Sequence, residues 1–203
     1  MAVSTAEKIK IENDLKPTNT HTFLSYLKKE ENTIHKHEFY NGQIVRMPGA
    51  KISHNMIAAN LIGAFKNILR PLPKRYLVLD SGQKVYIEQE NICLYPDALV
   101  ICEKPEKWQG KEDVIVNPMV IVEVLSRSTA KYDRTGKFMH YQSLPSFKEY
   151  ILVEQTRIEV ETWYKIEKDT WHKTVCTDIN TSIELRSLSV SIPLSEIYEY
   201  VEF

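Results

Sequence analysis

Cysteine, glycine and an excess of charge of either sign are all scarce in this chain. Three thiols, Cys93, Cys102 and Cys176, serve 203 residues. None forms a C-x-x-C pair and no histidine stands at finger spacing from any of them, which argues against a structural zinc module. A sparse, odd-numbered set fits small core residues in a reducing compartment. With 6 glycines and 9 prolines, collagen-like and low-complexity classes are excluded. Basic and acidic residues number 26 and 27, a net charge of −1, so no overall basic field is available to hold nucleic acid. No apolar run approaches the roughly 20 residues needed to cross a bilayer, and Met1 to Lys10 lacks the apolar stretch of a secretory signal. The expectation is a cytoplasmic protein with no membrane partner.

What is present is ordinary globular material, 43% hydrophobic and 26% charged, of a length that suits one domain. Residues 1–20 read as a polar N-terminal arm and residues 21–203 as the domain. Phe23, Leu24 and Leu27 give a short amphipathic helix. Glu38 to Val45 reads as a hairpin, because Asn41-Gly42 is the residue pair that a type I′ turn selects. Ile57, Leu61, Ala64, Phe65 and Ile68 recur at helical spacing over 52–69, with Ser53 as a cap and Pro71 and Pro73 as stops. Strand-like pieces follow at 76–79, 85–87, 97–102 and 114–125, the last with its true start marked by Asn117-Pro118. A helix over 132–142 precedes a buried strand at 149–154, and 157–164 pairs with 171–175. Leu188, Val190 and Ile192 alternate ahead of a short amphipathic turn. The order predicts a mixed α/β (α+β) sheet.

Two segments carry a charge where their pattern forbids one. Asp97 is the sole charge among the eleven residues from Ile92 to Cys102, and Glu123 the sole charge among the thirteen from Val114 to Ser126. An unpaired carboxylate in an interior strand costs several kcal/mol or takes up a proton. The cost is met when it faces a cation, lies at a strand end or binds a metal. Two such acids on neighbouring strands, with a main-chain carbonyl, make an oxygen cage suited to Mg²⁺ or Mn²⁺. The plainer reading pairs each acid with a local Arg or Lys. Lys131, Arg134 and Lys137 lie on or just before the next helix, and Arg134, Lys137 and Tyr141 share one side of it at i, i+3 and i+7. They read either as a solvated basic face or as the source of a cation beside Glu123.

The ordered set Glu38-Phe39-Tyr40-Asn41-Gly42-Gln43-Ile44, Met47-Pro48-Gly49-Ala50…His54, Tyr95-Pro96-Asp97, Asn117-Pro118…Ile121-Val122-Glu123-Val124-Leu125-Ser126 and Tyr132-Asp133-Arg134…Lys137-Phe138…Tyr141 resembles the Uma2 (DUF820) family of the PD-(D/E)xK superfamily. The resemblance implies a restriction-endonuclease-like fold: a central mixed β-sheet flanked by helices, with an N-terminal helix and hairpin. It implies a metal-dependent endonuclease with Asp97 and Glu123 as the paired acids, Lys137 as the cation, and Asp97, Glu123 and the carbonyl of Val124 as ligands of Mg²⁺ or Mn²⁺. Glu38, His54 and Arg134 are possible accessory residues under the same resemblance. Leu125 stands where the superfamily motif has lysine.

The implied partner is nucleic acid, DNA ahead of RNA. Phosphate binding relies on Lys and Arg releasing counterions, and here only Lys28-Lys29 and Lys74-Arg75 are adjacent. Affinity then has to come from a local basic rim, a homodimer or a further partner. No dedicated base-reading motif is visible. The alternative of another class is a nuclease-fold scaffold without catalysis, and a third is a hydrolase of small phosphorylated substrates.

Overall fold

A computed structural model describes residues 21–203; the N-terminal arm expected over 1–20 lies outside them. Helix α1 (Phe23–Glu30) opens on Thr22, whose hydroxyl accepts from the Ser25 amide, a side-chain cap for a helix end that otherwise leaves its first donors unmet. The hairpin β1 (His37–Tyr40) and β2 (Gln43–Arg46) turns on Asn41 and Gly42, both at positive φ (44° and 98°), the conformation a two-residue type I′ loop needs. Helix α2 (Ile52–Leu69) follows. Its cap is Lys51 with no side-chain bond, not Ser53, which lies inside the first turn with its hydroxyl 3.5 Å from Gln155 Oε1.

The remaining strands and helices, apart from two short 3-10 turns, are β3 (Tyr76–Asp80), β4 (Lys84–Ile87), β5 (Ile92–Leu94), β6 (Ala98–Cys102), β7 (Val114–Ile115), β8 (Val120–Leu125), an irregular helix α3 (130–142), β9 (Glu149–Glu154), β10 (Val160–Glu167), β11 (Thr170–Cys176), β12 (Ser182–Leu185), β13 (Val190–Pro193) and α4 (Leu194–Ile197). The large sheet has the order β11-β10-β9-β8-β6-β3, and a five-stranded sheet has the order β2-β1-β5-β4-β7. Within the large sheet β8 and β9 are parallel, while β8 and β6 are antiparallel. The sheet is mixed and flanked by helices, as expected.

Two apolar sequence segments are each divided between sheets. Ile92–Leu94 belongs to the small sheet and Ala98–Cys102 to the large one, with Tyr95-Pro96-Asp97 as the crossover. Val114–Ile115 and Val120–Leu125 are likewise parted around Asn117-Pro118. Proline lacks a ladder donor and fixes its own φ, so each marks a break. Strand β12 has no counterpart in the sequence reading, since Ser182 and Glu184 are exposed and only Ile183 and Leu185 are buried.

Period-2 alternation decides what each face of the large sheet meets. Val120, Val122 and Val124 face α2, packing with Ile57, Leu61 and Phe65 and with the C-terminal β12–α4 unit. Ile121 and Leu125 face the other way, into a core with Phe138, Tyr141, Phe147 and Tyr150 and with Val85, Ile87 and Leu94 of the small sheet. Glu123 shares the parity of Ile121 and Leu125. Helix α1 covers the outer face of the small sheet through Phe23, Tyr26 and Leu27 against Phe39, Tyr86 and Trp108.

Candidate active site

The peptide that carries Asp97 is tied into β8 by hydrogen bonds from both its main chain and its side chain. The Asp97 amide donates to the Val122 carbonyl at 3.1 Å, and the Val124 amide donates to Asp97 Oδ2 at 2.7 Å. Asp97 stands just before β6 and Glu123 near the C-terminal end of β8, so antiparallel pairing brings them to the same end of the sheet. The other oxygen of Asp97 lies 3.0 Å from His54 Nε2, on the first turn of α2. His54 Nδ1 is buried without a partner.

Glu123 is 3% exposed, and its Oε1 receives two bonds from α3: Lys137 Nζ at 3.1 Å and the Tyr141 hydroxyl at 3.0 Å. Lys137 is 6% exposed and also lies 3.1 Å from Glu38 Oε1 and 3.6 Å from Asp133 Oδ1. The second oxygen of Glu38 accepts from Tyr40 at 2.5 Å. Strand β1, which carries Glu38, is held by Glu30 at the end of α1: this side chain accepts from the His37 amide at 3.2 Å and from the Tyr95 hydroxyl at 2.8 Å. The same carboxylate thus ties the small sheet to the crossover that delivers Asp97.

One ammonium among several carboxylates sets the electrostatics. Burial pushes the Glu123 carboxyl well above the usual carboxylate range; Lys137 opposes this, and Asp133, Asp97 and Glu38 add to the rise. Burial likewise raises Asp133 against the pull of Lys137. For Lys137 burial acts downward, but Glu123, Glu38, Asp133 and Asp97 outweigh it and hold the ammonium well above its ordinary pKa. The cluster retains more protons than the same groups in water. Its carboxyl groups outnumber the one cation at its centre.

Helix α3 reaches this geometry through an irregularity. It runs as Ala130–Tyr132, a π-helical turn over Asp133–Lys137, and Phe138–Gln142. The wider turn offsets the helical phase, so the face shared by Arg134, Lys137 and Tyr141 in a regular helix is divided. Lys137 and Tyr141 turn inward to Glu123. Arg134 instead binds Glu161 Oε1 at 2.6 Å and approaches Glu159 and Glu154 at 3.5 and 3.9 Å; it is not brought to the paired acids. Lys131 is exposed. Gly136 leaves room within the turn for the Tyr132 ring, from which a Cβ there would stand 2.2 Å.

Of the sequence candidates, Asp97, Glu123, Val124, Lys137, Glu38 and His54 are linked by the contacts above, while Arg134 lies on the far side of α3. Tyr141, Asp133 and Tyr40 belong to the same cluster but escaped the sequence reading as contributors. The first two stand four residues either side of Lys137, a helical spacing that signals contact. Among the described residues, no group of three or more His, Cys, Asp or Glu side chains is arranged to hold a metal ion. The donor chemistry nonetheless fits a hard divalent cation. The side chains are carboxylates, and Glu38 Oε1 and Asp133 Oδ1 are buried facing the Lys137 ammonium, whose place beside them shows that they can face a cation.

The mixed sheet flanked by helices is that of a restriction-endonuclease-like fold. A crystal structure from Anabaena variabilis, described as a "putative nuclease belonging to DUF820", superposes with a TM-score of 0.70 at 12% identity, over 90% of this chain and 99% of that one. Residues 22–195 match the model of the Uma2 family, whose description reads "Putative restriction endonuclease", and the chain belongs to that family. Two uncharacterized proteins of a Synechocystis species are similar throughout: sll1609 is 32% identical over 172 residues (83% of this chain, 94% of that protein), and slr1290 is 32% identical over 178 residues (88% and 91%).

Proposed function

We propose that this protein is a metal-dependent endonuclease that hydrolyses phosphodiester bonds of DNA. The observation that carries the reading is the link between Asp97 and Glu123: one strand, β8, supplies both Glu123 and the Val124 amide that orients Asp97. Asp97, Glu123 and the Val124 carbonyl would hold Mg²⁺ or Mn²⁺. Such an ion lowers the pKa of bound water and withdraws charge from a phosphoryl oxygen.

The chain's own groups do the rest. Tyr141 and Lys137 fix the Glu123 carboxylate from the helix side, so its orientation is set before substrate arrives. Lys137 keeps its proton at any physiological pH and supplies positive charge where charge builds on the pentacoordinate phosphorus. His54 braces Asp97 from α2. In the reaction a water oxygen bonds to phosphorus and gives up a proton to solvent, the bond from phosphorus to the leaving oxygen breaks, and that oxygen takes up a proton from solvent.

One observation favours the non-catalytic alternative: Lys137 already touches both Glu38 and Glu123, leaving each carboxylate partly neutralised. The test is incubation of labelled single- and double-stranded DNA and RNA with Mg²⁺ or Mn²⁺, beside the Asp97→Ala protein. Metal-dependent cleavage of DNA that is lost in the variant supports the nuclease. Unchanged cleavage by the variant overturns the site assignment, and no cleavage together with no Mn²⁺ binding leaves the scaffold reading.

A further inference from the structure

We propose that the groove between the C-terminal end of α2 and β3 is a docking surface for the phosphodiester backbone of a nucleic-acid duplex; this rests on the nuclease reading of the Asp97–Glu123 site. The groove measures about 570 Å³, and Lys66, Arg70, Lys74 and Arg75 line it over an apolar floor that includes Leu72 and Tyr76. No carboxylate is among its lining residues. All four basic side chains are exposed, and none is ion-paired with an acid among the described residues. Glu103, the acid nearest in the chain pairing, meets Arg75 only by donating its amide to the Arg75 carbonyl. In a chain of net charge −1, this is a local concentration of positive charge.

Its position matches a duplex that also reaches the acids. His54 at the start of α2 touches Asp97, and Arg70 caps the other end of the same helix. The sixteen residue steps from one to the other span about 24 Å at about 1.5 Å per residue. That is less than one turn of B-form DNA, about 34 Å. A duplex of one turn is therefore long enough to reach from the acids to the groove. Strand β3 is the edge of the large sheet, so pairing with a second copy is the competing occupant. Four like charges beside that edge act against it, as charged edges do in natural sheets.

The experiment is fluorescence anisotropy of a fluorescein-labelled duplex of about 20 base pairs, titrated with the full chain in EDTA across a salt series. The combined variant Lys66→Gln, Arg70→Gln, Lys74→Gln, Arg75→Gln is compared with wild type and with Lys28→Gln, Lys29→Gln on α1. Each phosphate contact contributes about 0.9 to the slope of log K against log salt. The combined variant is expected to lose about 3 to 4 from that slope and at least about tenfold in affinity near 0.1 M salt, while the α1 variant behaves as wild type. Should the fourfold variant melt early, the Lys74→Gln, Arg75→Gln pair on the exposed turn gives a slope loss of about 2. Unchanged slope and affinity overturn the proposal. So does absence of duplex binding by the wild type, or a change in sedimentation in place of affinity, which assigns the groove to a second copy. Duplex binding through the groove without Mn²⁺-dependent cleavage sinks the nuclease reading alone; cleavage with wild-type binding by the variant sinks the docking surface alone.

Discussion

Val124 donates its amide to Asp97 Oδ2 over 2.7 Å, so the strand that presents one acid also aims the other. The two carboxylates are therefore not independent positions on the chain. Asn at 97 can still accept from that amide through its side-chain oxygen, whereas Ala leaves a partly buried donor unmet. Asp97→Asn is expected to fold with near-wild-type stability and lose at least about 100-fold in metal-dependent cleavage, a loss of the kind seen when a transition-state contact is removed. Asp97→Ala should lose the activity and also about 1–3 kcal/mol of stability, which chemical denaturation of the two proteins would separate.

Lys137 neutralises a nest it cannot fully balance. Lys137→Met leaves Glu38, Glu123 and Asp133 around an apolar side chain, and breaking a buried pair this way costs about 3–5 kcal/mol. The sign of the pH response follows from the raised carboxyls. With the ammonium gone, the native state takes up protons more readily than the unfolded chain, so stability rises as pH falls from 7 towards the usual carboxylate range. Denaturant midpoints of the variant that fell monotonically with acidification would contradict this.

Glu123→Gln should move stability the other way. Burial holds the Glu123 carboxyl above its ordinary range despite Lys137, so its ionised form is a net cost to the fold. The cost is absent at acid pH and grows as pH rises above the ordinary value for glutamate, about 4.3. The variant is expected to be inactive and, near neutrality, more stable than wild type, with the gain shrinking on acidification. Paired thermal melts across pH check both halves.

Gly136→Ala tests the π-helical turn. A methyl group there would stand 2.2 Å from the Tyr132 ring, which is itself packed edge-on to Tyr40 at 6.0 Å between centroids. Overpacking of this kind costs about 1–3 kcal/mol. Displacement of Tyr132 would also disturb the phase that turns Lys137 inward. A lowered melting temperature together with reduced cleavage is the expected outcome, and neither change in a folded variant would show that the turn is dispensable.

Arg134→Ala, by contrast, should spare activity. Arg134 serves Glu161, Glu159 and Glu154 on the β9–β10 side. Lys173 remains 2.6 Å from Glu161, so part of the compensation survives. The expected result is a stability loss of about 1–3 kcal/mol with cleavage within about twofold of wild type.

The legible part of the site was the part written as a violation of pattern. Asp97 and Glu123 are charges inside apolar runs, and period-2 parity alone puts Glu123 on the Ile121 and Leu125 face. Lys137 was legible as a basic residue at helical spacing from Tyr141. The division of roles between Lys137 and Arg134 was not, because it depends on one wide turn whose only local sign is Gly136 beside Tyr132. The hairpin followed from Asn41-Gly42. Assignment of Ile92–Leu94 and Ala98–Cys102 to different sheets was hidden, since an apolar run reads alike whichever partner strand it finds; Pro96 marked a break without naming its sheet. Strand β12 was missed because two of its four side chains face water.

The crossover at Tyr95-Pro96-Asp97 has a mechanical corollary. Glu38 rides on the small sheet, while Asp97 and Glu123 ride on the large one, and the ammonium of Lys137 bridges the seam between them. Any change in the tilt of one sheet against the other alters the Glu38–Lys137 separation before it alters the Asp97–Glu123 pair, which a single strand holds rigid. The joint is thus a seam closed by a single charge.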